Sequence, residues 1–453
     1  MRSLIGAALL AVALASCGGG AGGGGAAVQT PGPPSTGGGP VTTTPAPTTT
    51  PGTTPAPIAT PGTTPAPTAN PTATPQQAPS ANPSLHVPSG FIASTIASVS
   101  GARELAALPN GDLIVGTSGS NVVIVPNAES AGVAGTPSTF ATISDSPAQG
   151  VAYGAGYVFV ATQHGVYRIP YSSGARSGTP QKIASVRTGS VAPNSDGDVH
   201  TTSSVGVSGS TLYVGVGSSC NACTETDPTR ATVQRMGIDG SGMTTQATRW
   251  RNAIAVATDP ATGNVWAGGA GQDDLPSGHP YEFMDAVSTR SAPADYGWPD
   301  CEENHVAYVS GSNCSNVVVP ALEFPAYSTI IGAAFYPSGA PGPYAFPSSW
   351  SGGLFVGMHG SWHTGSGGVP VDPPHVAFVP FSGGAPSRAV NWSDPTAQWT
   401  DFFTGFQNGT SRVGRVTGVA VGASGSLFVA DDDAGVVYRI RPAGSATSSV
   451  RRR

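Results

Sequence analysis

The sequence is poor in charged residues and contains very little lysine. Charged side chains make up 10% of its 453 residues, and the formal net charge is −6 at pH 7. No basic stripe occurs apart from the terminal run Arg451–Arg453, so nucleic acid is not expected as a partner. Segments with helical periodicity are few, whereas Gly, Val, Ala, Ser and Thr are abundant after residue 85. This composition, with its many turn signals, indicates an all-β domain.

A lasting membrane helix is not expected, because the apolar run Leu4–Ala15 is too short to span a bilayer. The run follows Met1-Arg2 and leads into small residues, which is typical of a secretory signal over residues 1–16. The Leu-Ala-Ser-Cys sequence that ends at Cys17 resembles the bacterial lipobox, in which the cysteine is diacylated. We therefore expect lipidation of Cys17 and export to the cell envelope, on the periplasmic or outer-membrane side or at the cell surface. The lipid would be the only membrane contact, and an ordinary signal peptide is the alternative.

Residues 17–84 are rich in Gly and then in Thr-Thr-Pro-Ala-Pro repeats. Such a segment has too few large apolar groups to offset the cost of ordering its backbone, so we expect a disordered linker that acts as a spacer. The expected folded domain covers residues 85–443, and residues 444–453 are expected to form a disordered tail.

Apart from Cys17, the cysteines are Cys220, Cys223, Cys301 and Cys314. An even number in an exported protein is typical of disulfides, and the simplest pairing joins residues 220 to 223 and 301 to 314. A zinc site that uses the first pair is the alternative, although the second pair lacks the close spacing of a zinc knuckle.

One sequence pattern recurs along the domain. It consists of an apolar strand, a turn of Gly, Asn or Asp, and a second strand that ends in small residues. These turn residues tolerate the positive φ that tight hairpins need. The copies read ALPNGDLIVGT at Ala107, VAYGAGYVFVAT at Val151, VGVSGSTLYVGVG at Val205, VATDPATGNVWAGG at Val256, a longer version ending SGGLFVGMHG near Ser351, and VAVGASGSLFVADD at Val419.

Six unevenly spaced copies predict a six-bladed β-propeller with one four-stranded sheet per copy. The strand FIASTIAS near Phe91 is expected to pair with the last blade, because an open ring leaves an unpaired sheet edge. The widest gap, from Val265 to Leu354, is expected to carry long loops on one rim. Seven blades and an array of β-sandwiches are the alternatives, but sandwiches do not explain one repeated hairpin pattern.

In several copies of the pattern, polar residues stand at an equivalent position, just before the first strand. Gln149 and His200 stand before the second and third copies, Arg251-Asn252 before the fourth and Arg415 before the sixth. Because equivalent loops of a propeller meet at one mouth of its channel, we expect these side chains to converge there. Taken singly, each has a structural alternative as a turn cap, an ion-pair partner of a rim acid or a partner of backbone groups.

Four motifs together resemble one family, the soluble pyrroloquinoline-quinone (PQQ)-dependent glucose dehydrogenases and the related L-sorbosone dehydrogenases. The motifs are GSSCNACTETDP from Gly217, Arg251-Asn252, DYGWP from Asp295 and HGSW from His359. The resemblance spans essentially the whole domain after the linker, and the first and last motifs look like the sorbosone branch.

The resemblance implies a role for each residue of the predicted mouth. His200 would be the general base that removes a proton from a sugar hydroxyl, for which an imidazole has a suitable pKa. Arg251 would polarise the quinone carbonyl as charge builds there. Asn252 and Gln149 would fix cofactor and substrate by hydrogen bonds, and the guanidinium fork of Arg415 would bind a cofactor carboxylate.

The resemblance also implies a calcium ion that coordinates the quinone and is held by the backbone carbonyls of Gly271 and Gln272, since calcium prefers oxygen ligands. His359, which stands where the glucose branch has a lysine, and Trp362 are expected at the cofactor as well. Trp362 belongs to a set of rings able to stack on a sugar in this interpretation, with Trp298 and Tyr281.

The sequence departs from the family pattern at several positions. Ser203 stands where the family commonly has an arginine shortly after the base histidine, and Tyr281 replaces the acid that usually precedes Glu282. His359 replaces the lysine, and Thr417 replaces a second arginine near the sixth copy. Losing two or three charge-assisted contacts, each worth roughly 1.5–3 kcal/mol, would weaken the binding of a tricarboxylate.

The leading functional prediction is an exported, lipid-anchored oxidoreductase that oxidises a sugar with PQQ as electron acceptor and passes the electrons to the respiratory chain. The second hypothesis is a non-catalytic propeller of the cell envelope that binds a glycan or a protein at the channel mouth. A third is a calcium-dependent lactonase, against which the lack of an evident cluster of channel carboxylates argues.

Overall fold

The computed structural model describes residues 80–186 and 199–444. The predicted signal, Cys17, most of the linker and the tail after residue 444 lie outside them. Within the described part of the chain, no helix combines the length and the apolar character needed to cross a membrane.

The described chain is all β, with three short 3₁₀ helices and no α-helix among its residues. An N-terminal strand is followed by two four-stranded sheets, blades 1 and 2. These strands are β1 Phe91–Ser98; in blade 1 β2 Ala102–Ala107, β3 Leu113–Thr117, β4 Asn121–Val125 and β5 Ser138–Thr142; and in blade 2 β6 Gly150–Gly154, β7 Tyr157–Ala161, β8 Gly165–Pro170 and β9 Gln181–Ser185.

Blades 3 and 4 exchange one short strand. Blade 3 contains β10 Ser203–Ser208, β11 Thr211–Val216, β12 Thr232–Gly237 and β13 Thr244–Thr248; blade 4 contains β14 Asn252–Thr258, β15 Val265–Ala270, β16 Glu282–Asp285 and β18 Leu322–Phe324. Between β16 and β18 lie the 3₁₀ turn Val287–Thr289 and β17 Ala294–Asp295, which pairs in parallel with β13 of blade 3.

Blade 5 and blade 6 complete the ring. Blade 5 contains β19 Ile330–Tyr336, β20 Gly353–Met358, β21 His375–Ser382, β22 Ala385–Pro386 and β23 Thr400–Phe403, with 3₁₀ turns at Ser348–Trp350 and Ser366–Gly368. A small hairpin of β24 Gln407–Asn408 and β25 Ser411–Arg412 precedes blade 6, which contains β26 Val416–Val421, β27 Leu427–Asp431 and β28 Val436–Pro442.

The ring closes as the sequence predicts. The N-terminal strand β1 pairs antiparallel with β28, so blade 6 has the order β1-β28-β27-β26 and no open edge there. The first strands of the six blades contact one another in a complete cycle around the channel. The six-bladed propeller is therefore confirmed, and seven blades and a sandwich array are excluded. The widest gap between copies carries long loops but also β16, β17, β18 and β19.

Small residues at the end of each second strand have a packing reason. A Cβ on Gly116 of β3 would lie 2.0 Å from the carbonyl oxygen of Gln149, and one on Gly215 of β11 would lie 1.8 Å from that of Ala253. Each glycine thus lets the second strand of one blade approach the first strand of the next. Larger residues there would push neighbouring blades apart at the site.

Apolar side chains fill the spaces between blades. The largest apolar cluster of the described residues lies between blades 5 and 6, where the rings of Phe91 and Phe346 are 4.6 Å apart and those of Phe355 and Phe402 are 4.7 Å apart. Aromatic packing of this kind stabilises facing sheets. Because Phe91 belongs to β1, this cluster also fixes the closing strand.

The folded domain begins earlier than residue 85. Ser80 bridges Ser94 of β1, and the amide of Ala81 donates to the carbonyl of Ala93 at 3.1 Å. Residues 80 and 81, which the sequence assigns to the linker, therefore pair with the outer strand of blade 6.

Candidate functional site

The predicted polar residues lie at the N-terminal ends of the first strands of their blades. Gln149 directly precedes β6, His200 precedes β10 by three residues, Arg251 directly precedes β14, and Arg415 directly precedes β26. Because these strands run side by side around the channel, their N-terminal ends form one mouth, which we call the polar mouth. Asn252 is the first residue of β14 and lies at the same mouth.

The opposite mouth has a different chemistry. It contains a cavity of about 420 Å³ lined mainly by small apolar residues, among them Ala106, Val151 and Val207. The polar groups of the first strands are thus gathered at one end of the channel.

The imidazole of His200 is held in one tautomer. Its Nδ1 lies 2.8 Å from the carbonyl oxygen of Ser218 and 3.0 Å from the Ser218 hydroxyl, which itself donates to the carbonyl of Cys220 at 2.6 Å. Both Ser218 oxygens are therefore acceptors, so Nδ1 carries the proton and Nε2 is the basic nitrogen. Burial, and next the positive charge of Arg251, lower the pKa of His200 well below its usual 6.5. The imidazole is neutral at neutral pH.

Arg251 lies beside this histidine. The amide of Ser218, whose carbonyl binds His200, donates to the carbonyl of Arg251 at 2.7 Å. The guanidinium donates from Nε to the carbonyl of Asn221 at 3.2 Å and from Nη2 to Oδ2 of Asp273 at 2.8 Å, and Nη1 donates to the carbonyl of Gly271. Burial lowers the pKa of Arg251, while Asp273 opposes that shift.

Asn252 lies against the same loop. A Cβ on Gly217 would lie 2.6 Å from both Oδ1 of Asn252 and Cβ of His200. The glycine therefore leaves room for the amide and the imidazole to lie side by side, and His200, Arg251 and Asn252 form one cluster at the junction of blades 3 and 4.

The predicted calcium turn is next to this cluster. The carbonyl of Gly271 accepts a hydrogen bond from Arg251, and Oε1 of Gln272 is buried without a partner among the described residues. Glu282 packs behind the turn and accepts hydrogen bonds from the amides of Gly271 and Ile330. Burial raises the pKa of Glu282 to about 8, so this acid adds little negative charge at neutral pH.

A second cluster joins the other predicted residues. Oε1 of Gln149 accepts from Nε of Arg103 at 3.0 Å, and Nη1 of Arg103 pairs with Oδ2 of Asp432 at 2.8 Å. Nε2 of His359 lies 3.0 Å from Oδ1 of the same carboxylate. Blades 2, 1, 6 and 5 are thereby connected by one chain of polar contacts.

The charges in this second cluster are fixed by burial and pairing. Burial lowers the pKa of His359 to about 4 in spite of its bond to Asp432. Burial alone would raise the pKa of Asp432, but the hydrogen bond with His359 and the charge of Arg103 outweigh it, and the pKa falls to about 2. His359 is therefore a neutral group at neutral pH and does not replace the positive charge of a lysine.

Arg415 lies on the blade 6 side of the mouth. Its Nε donates to the carbonyl of His359 at 3.0 Å and its Nη2 to that of Gly360 at 2.9 Å, while its backbone amide donates to Asp431. Burial lowers the pKa of Arg415 to about 10, so the guanidinium is charged at neutral pH.

The loop after β20 connects the two clusters. His359 at its start belongs to the second cluster, and Nε2 of His363 lies 3.1 Å from Oδ1 of Asp273 in the first. Between them, Trp362 is 66% exposed and its ring lies 3.9 Å from that of His363. The structure thus brings the predicted catalytic, cofactor-binding and calcium-binding residues of the first strands and their loops to one mouth, and the indole of Trp362 in the connecting loop is exposed.

Two of the three proposed stacking rings are engaged elsewhere. Trp298 is buried and its Nε1 donates to the carbonyl of Asn221, while Tyr281 donates its hydroxyl to the carbonyl of Trp392 and packs on that ring. Burial leaves the ring of Trp298 unavailable for stacking on a sugar, whereas the half-buried ring of Tyr281 packs on Trp392. Trp362 is the exposed ring of the three.

The four cysteines of the domain are joined as Cys220–Cys223 and Cys301–Cys314. Among the described residues, the one cluster of three potential metal-ligating His, Cys, Asp or Glu side chains is Cys220, Cys223 and Glu225. Since its two sulfurs are bonded to each other, the alternative of a zinc site there loses its thiolate ligands.

Two of the positions that depart from the family pattern, Ser203 and Thr417, are fully buried. Ser203 is 1% exposed and its hydroxyl has no partner among the described residues, whereas the hydroxyl of Thr417 donates to the carbonyl of Ala102 at 3.0 Å. Neither position supplies a charge. Arg103 brings a guanidinium to the mouth from blade 1, so part of the lost positive charge is replaced.

Sequence reasoning missed Arg103, Asp432, Asp273 as an Arg251 partner, and Ser218. Arg103 is the second residue of β2, and Asp432 directly follows β27, so neither directly precedes a first strand. The one available signal was the acidic run Asp431–Asp433 at the end of the sixth copy, which stands at the polar mouth because β27 runs antiparallel to β26.

Comparisons with known proteins place the fold. No family model matches the sequence, and no curated protein matches it. The structure is similar to the PQQ domain of pyranose dehydrogenase from Coprinopsis cinerea, with a TM-score of 0.64 and 18% identity over 80% of this chain and 98% of that one. It is also similar to a calcium structure of a Trichoderma reesei carbohydrate-active enzyme of family AA12, with a TM-score of 0.64 and 17% identity over 82% and 100% of the two chains.

A third solved structure is the PQQ-bound aldose sugar dehydrogenase from Streptomyces coelicolor, with a TM-score of 0.52 and 16% identity over 79% of this chain and 99% of that one. These likenesses do not separate the sorbosone branch from the others. The resemblance inferred from the motifs is confirmed at the level of structure: the chain has the propeller fold of solved PQQ-dependent sugar dehydrogenases.

Proposed function

We propose that this protein is an oxidoreductase that oxidises an aldose or related sugar at the polar mouth, with PQQ as the electron acceptor and calcium as the accompanying ion. The observation that carries the proposal is a neutral imidazole, His200, whose Nδ1 is bound by Ser218 and which lies beside the buried guanidinium of Arg251. This pair combines a base with a donor for developing negative charge, which is what the removal of a proton and a hydride from an alcohol requires.

The donors at the mouth fit an anionic quinone. Three of the five N–H groups of Arg251 and two of those of Arg415 have acceptors among the described residues, which leaves donors on both guanidiniums. Nε2 of Gln149 is buried without a partner in the described chain, an arrangement that a ligand acceptor would satisfy. With Arg103, three arginines from blades 1, 4 and 6 face one mouth.

The oxygen atoms beside Arg251 fit a calcium ion. The Gly271 carbonyl has a second lone pair beyond the one that Arg251 uses, and Oε1 of Gln272 is a buried acceptor without a protein donor among the described residues. Calcium accepts carbonyl, amide and carboxylate oxygens together. The backbone carbonyl of Gln272 and the carboxylate of Asp273 stand at the same turn.

When bound, the quinone would supply the acceptor for the hydride that the sugar carbon loses. Nε2 of His200 would take the proton of the sugar hydroxyl, so that the carbon–oxygen bond becomes a carbonyl. Ser218 keeps the imidazole in the tautomer that can do this, and the charge of Arg251 disfavours premature protonation of His200. Arg251 would hold the oxygen on which negative charge develops, and Trp362 would cover the mouth.

The proposal includes export and lipid attachment at Cys17, with residues 17–79 acting as a spacer between membrane and domain. Export would allow the enzyme to pass electrons to the respiratory chain. The non-catalytic alternative makes no use of the His200–Ser218 arrangement.

The test is a turnover assay. The purified protein, loaded with calcium and PQQ, is given a panel of aldoses, and the reduction of a redox dye is followed by absorbance. The proposal expects turnover with at least one aldose and a loss of about 10²–10⁴-fold in His200→Gln. Quinone-loaded protein that reduces no dye with any aldose would contradict it.

A further inference from the structure

We infer that the loop closed by the Cys220–Cys223 disulfide positions the site, and that Asn221 is the positioning residue that fixes Arg251 and the turn at Gly271–Asp273. This inference rests on the proposed function for its effect on turnover. The contact it predicts is testable without any cofactor.

The loop itself is firmly held. It follows β11 of blade 3, and the disulfide joins the residues on either side of Asn221-Ala222. Glu225 accepts from the amide of Ser219 at 2.6 Å and from its hydroxyl at 2.8 Å. The buried Arg230 donates to the carbonyl of Ser218 at 2.8 Å. An unsupported loop could not hold a neighbour in place, whereas this one is pinned by a covalent bond and two charged groups.

Asn221 contacts Arg251 through its backbone. Its carbonyl oxygen accepts from Nε of Arg251 at 3.2 Å and from Nε1 of Trp298 at 3.0 Å. A substitution of the Asn221 side chain does not remove this backbone carbonyl, so it can act on Arg251 only by shifting the position of the carbonyl.

The side chain of Asn221 makes a two-point contact with the next blade. Its Nδ2 donates to the carbonyl of Asp273 at 3.1 Å, and its Oδ1 accepts from the amide of Asp273 at 2.8 Å. Only a primary amide offers a donor and an acceptor in this geometry. Oδ2 of Asp273 in turn binds Nη2 of Arg251 at 2.8 Å, so Asn221, Arg251 and Asp273 form a closed triangle.

The same short segment also holds the base. Ser218 binds Nδ1 of His200, and the Ser218 hydroxyl donates to the carbonyl of Cys220, one end of the disulfide. Residues 218–221 therefore hold the imidazole on one side and the guanidinium on the other. A shift of this segment would change the distance between the two groups, to which catalysis is sensitive.

The cofactor-free test is hydrogen exchange of the Asp273 amide, measured by NMR or by mass spectrometry of the peptide that contains it. In the full chain without quinone or calcium, this amide should be protected, and its exchange should be at least about 10-fold faster in Asn221→Ala and in the double variant Cys220→Ala/Cys223→Ala. Asn221→Asp keeps the acceptor for the amide and should lie between. The matched control is Asn82→Ala, which removes an exposed asparagine side chain that binds only the nearby Ser84, and it should leave this amide protected.

The second readout is catalytic. In quinone-loaded protein, Asn221→Ala should lower kcat by about 10- to 100-fold while KM for the aldose changes little, because the residue does not touch substrate. The control variant should keep the wild-type kcat. Exchange at Asp273 that is equal in wild type and Asn221→Ala, or an unchanged kcat, would overturn the inference. A wild-type protein that does not turn over would instead overturn the proposed function, and the exchange result would still decide the contact.

Discussion

Nδ1 of His200 lies 2.8 Å from the carbonyl oxygen of Ser218, and the amide of Ser218 lies 2.7 Å from the carbonyl oxygen of Arg251. A single residue therefore links the proposed base to the residue that carries the neighbouring positive charge. The relationship fixes both the tautomer of the imidazole and its proximity to a cation, and each has a measurable consequence.

The first consequence is a shifted acidic limb in the pH profile of kcat/KM. Burial and the charge of Arg251 lower the pKa of His200 well below 6.5, and a base must be unprotonated to act. Activity should therefore be retained as pH falls to 6.5 and be lost only as pH falls through the lowered pKa. Steady-state assays from acidic to neutral pH measure this limb, and a midpoint at or above pH 6.5 would refute the assignment.

Asp432 should stabilise the fold more at neutral than at acidic pH. Its folded pKa of about 2 is below the usual Asp value, so the stabilisation is complete above the unfolded pKa and is lost as pH falls toward 2. Asp432→Asn leaves Arg103 without its carboxylate partner, and we expect a loss of about 1–3 kcal/mol in the free energy of unfolding at pH 7.

Denaturant unfolding at several pH values checks this prediction. The difference between wild type and Asp432→Asn should shrink as pH falls from about 4 toward 2, since the carboxylate is protonated first in the unfolded chain and in the folded protein only near its lowered pKa. A difference that is independent of pH would show that the carboxylate charge is not what stabilises this cluster. Asp433→Asn, which removes an exposed ion pair with Arg412, is the matched control.

Removal of the closing strand should prevent folding. Deleting the chain through Ser98 takes away β1, leaves β28 as an open edge and removes Phe91 from its contacts with Phe346 and Phe402. We expect insoluble or aggregated protein by gel filtration. Deletion through residue 79, which keeps the bridge from Ser80 to Ser94, should leave a soluble, folded domain that elutes as a single species. A folded monomer without β1 would contradict this account of closure.

The sequence predicted the part of the site that follows the repeat. Gln149, His200, Arg251 and Arg415 could be found because each precedes the first strand of a blade, and blade geometry brings equivalent positions to one mouth. Arg103 and Asp432 could not be found in this way. Their roles depend on a contact between blade 1 and blade 6, and these two blades lie at opposite ends of the domain sequence.

The protonation and burial of individual side chains could not be predicted from the sequence either. The sequence showed that His359 stands at the position of a family lysine, but not that burial lowers its pKa to about 4 and makes it a neutral partner of Asp432. Trp298 looked like a stacking ring, yet it is buried and bound to the loop at Asn221. Burial and hydrogen-bond partners depend on tertiary packing, and a motif does not encode them locally.

Quinone binding tests the central claim most directly. PQQ is titrated into the purified protein with calcium, and the change in its absorbance gives stoichiometry and affinity for wild type, Arg251→Ala and Arg235→Ala, the last being a surface arginine of blade 3 that binds Thr244. We predict one quinone per chain in wild type and Arg235→Ala, and a loss of affinity of about 10-fold or more in Arg251→Ala. No binding to wild type at micromolar quinone, or equal binding to all three proteins, would contradict a quinone site at the polar mouth.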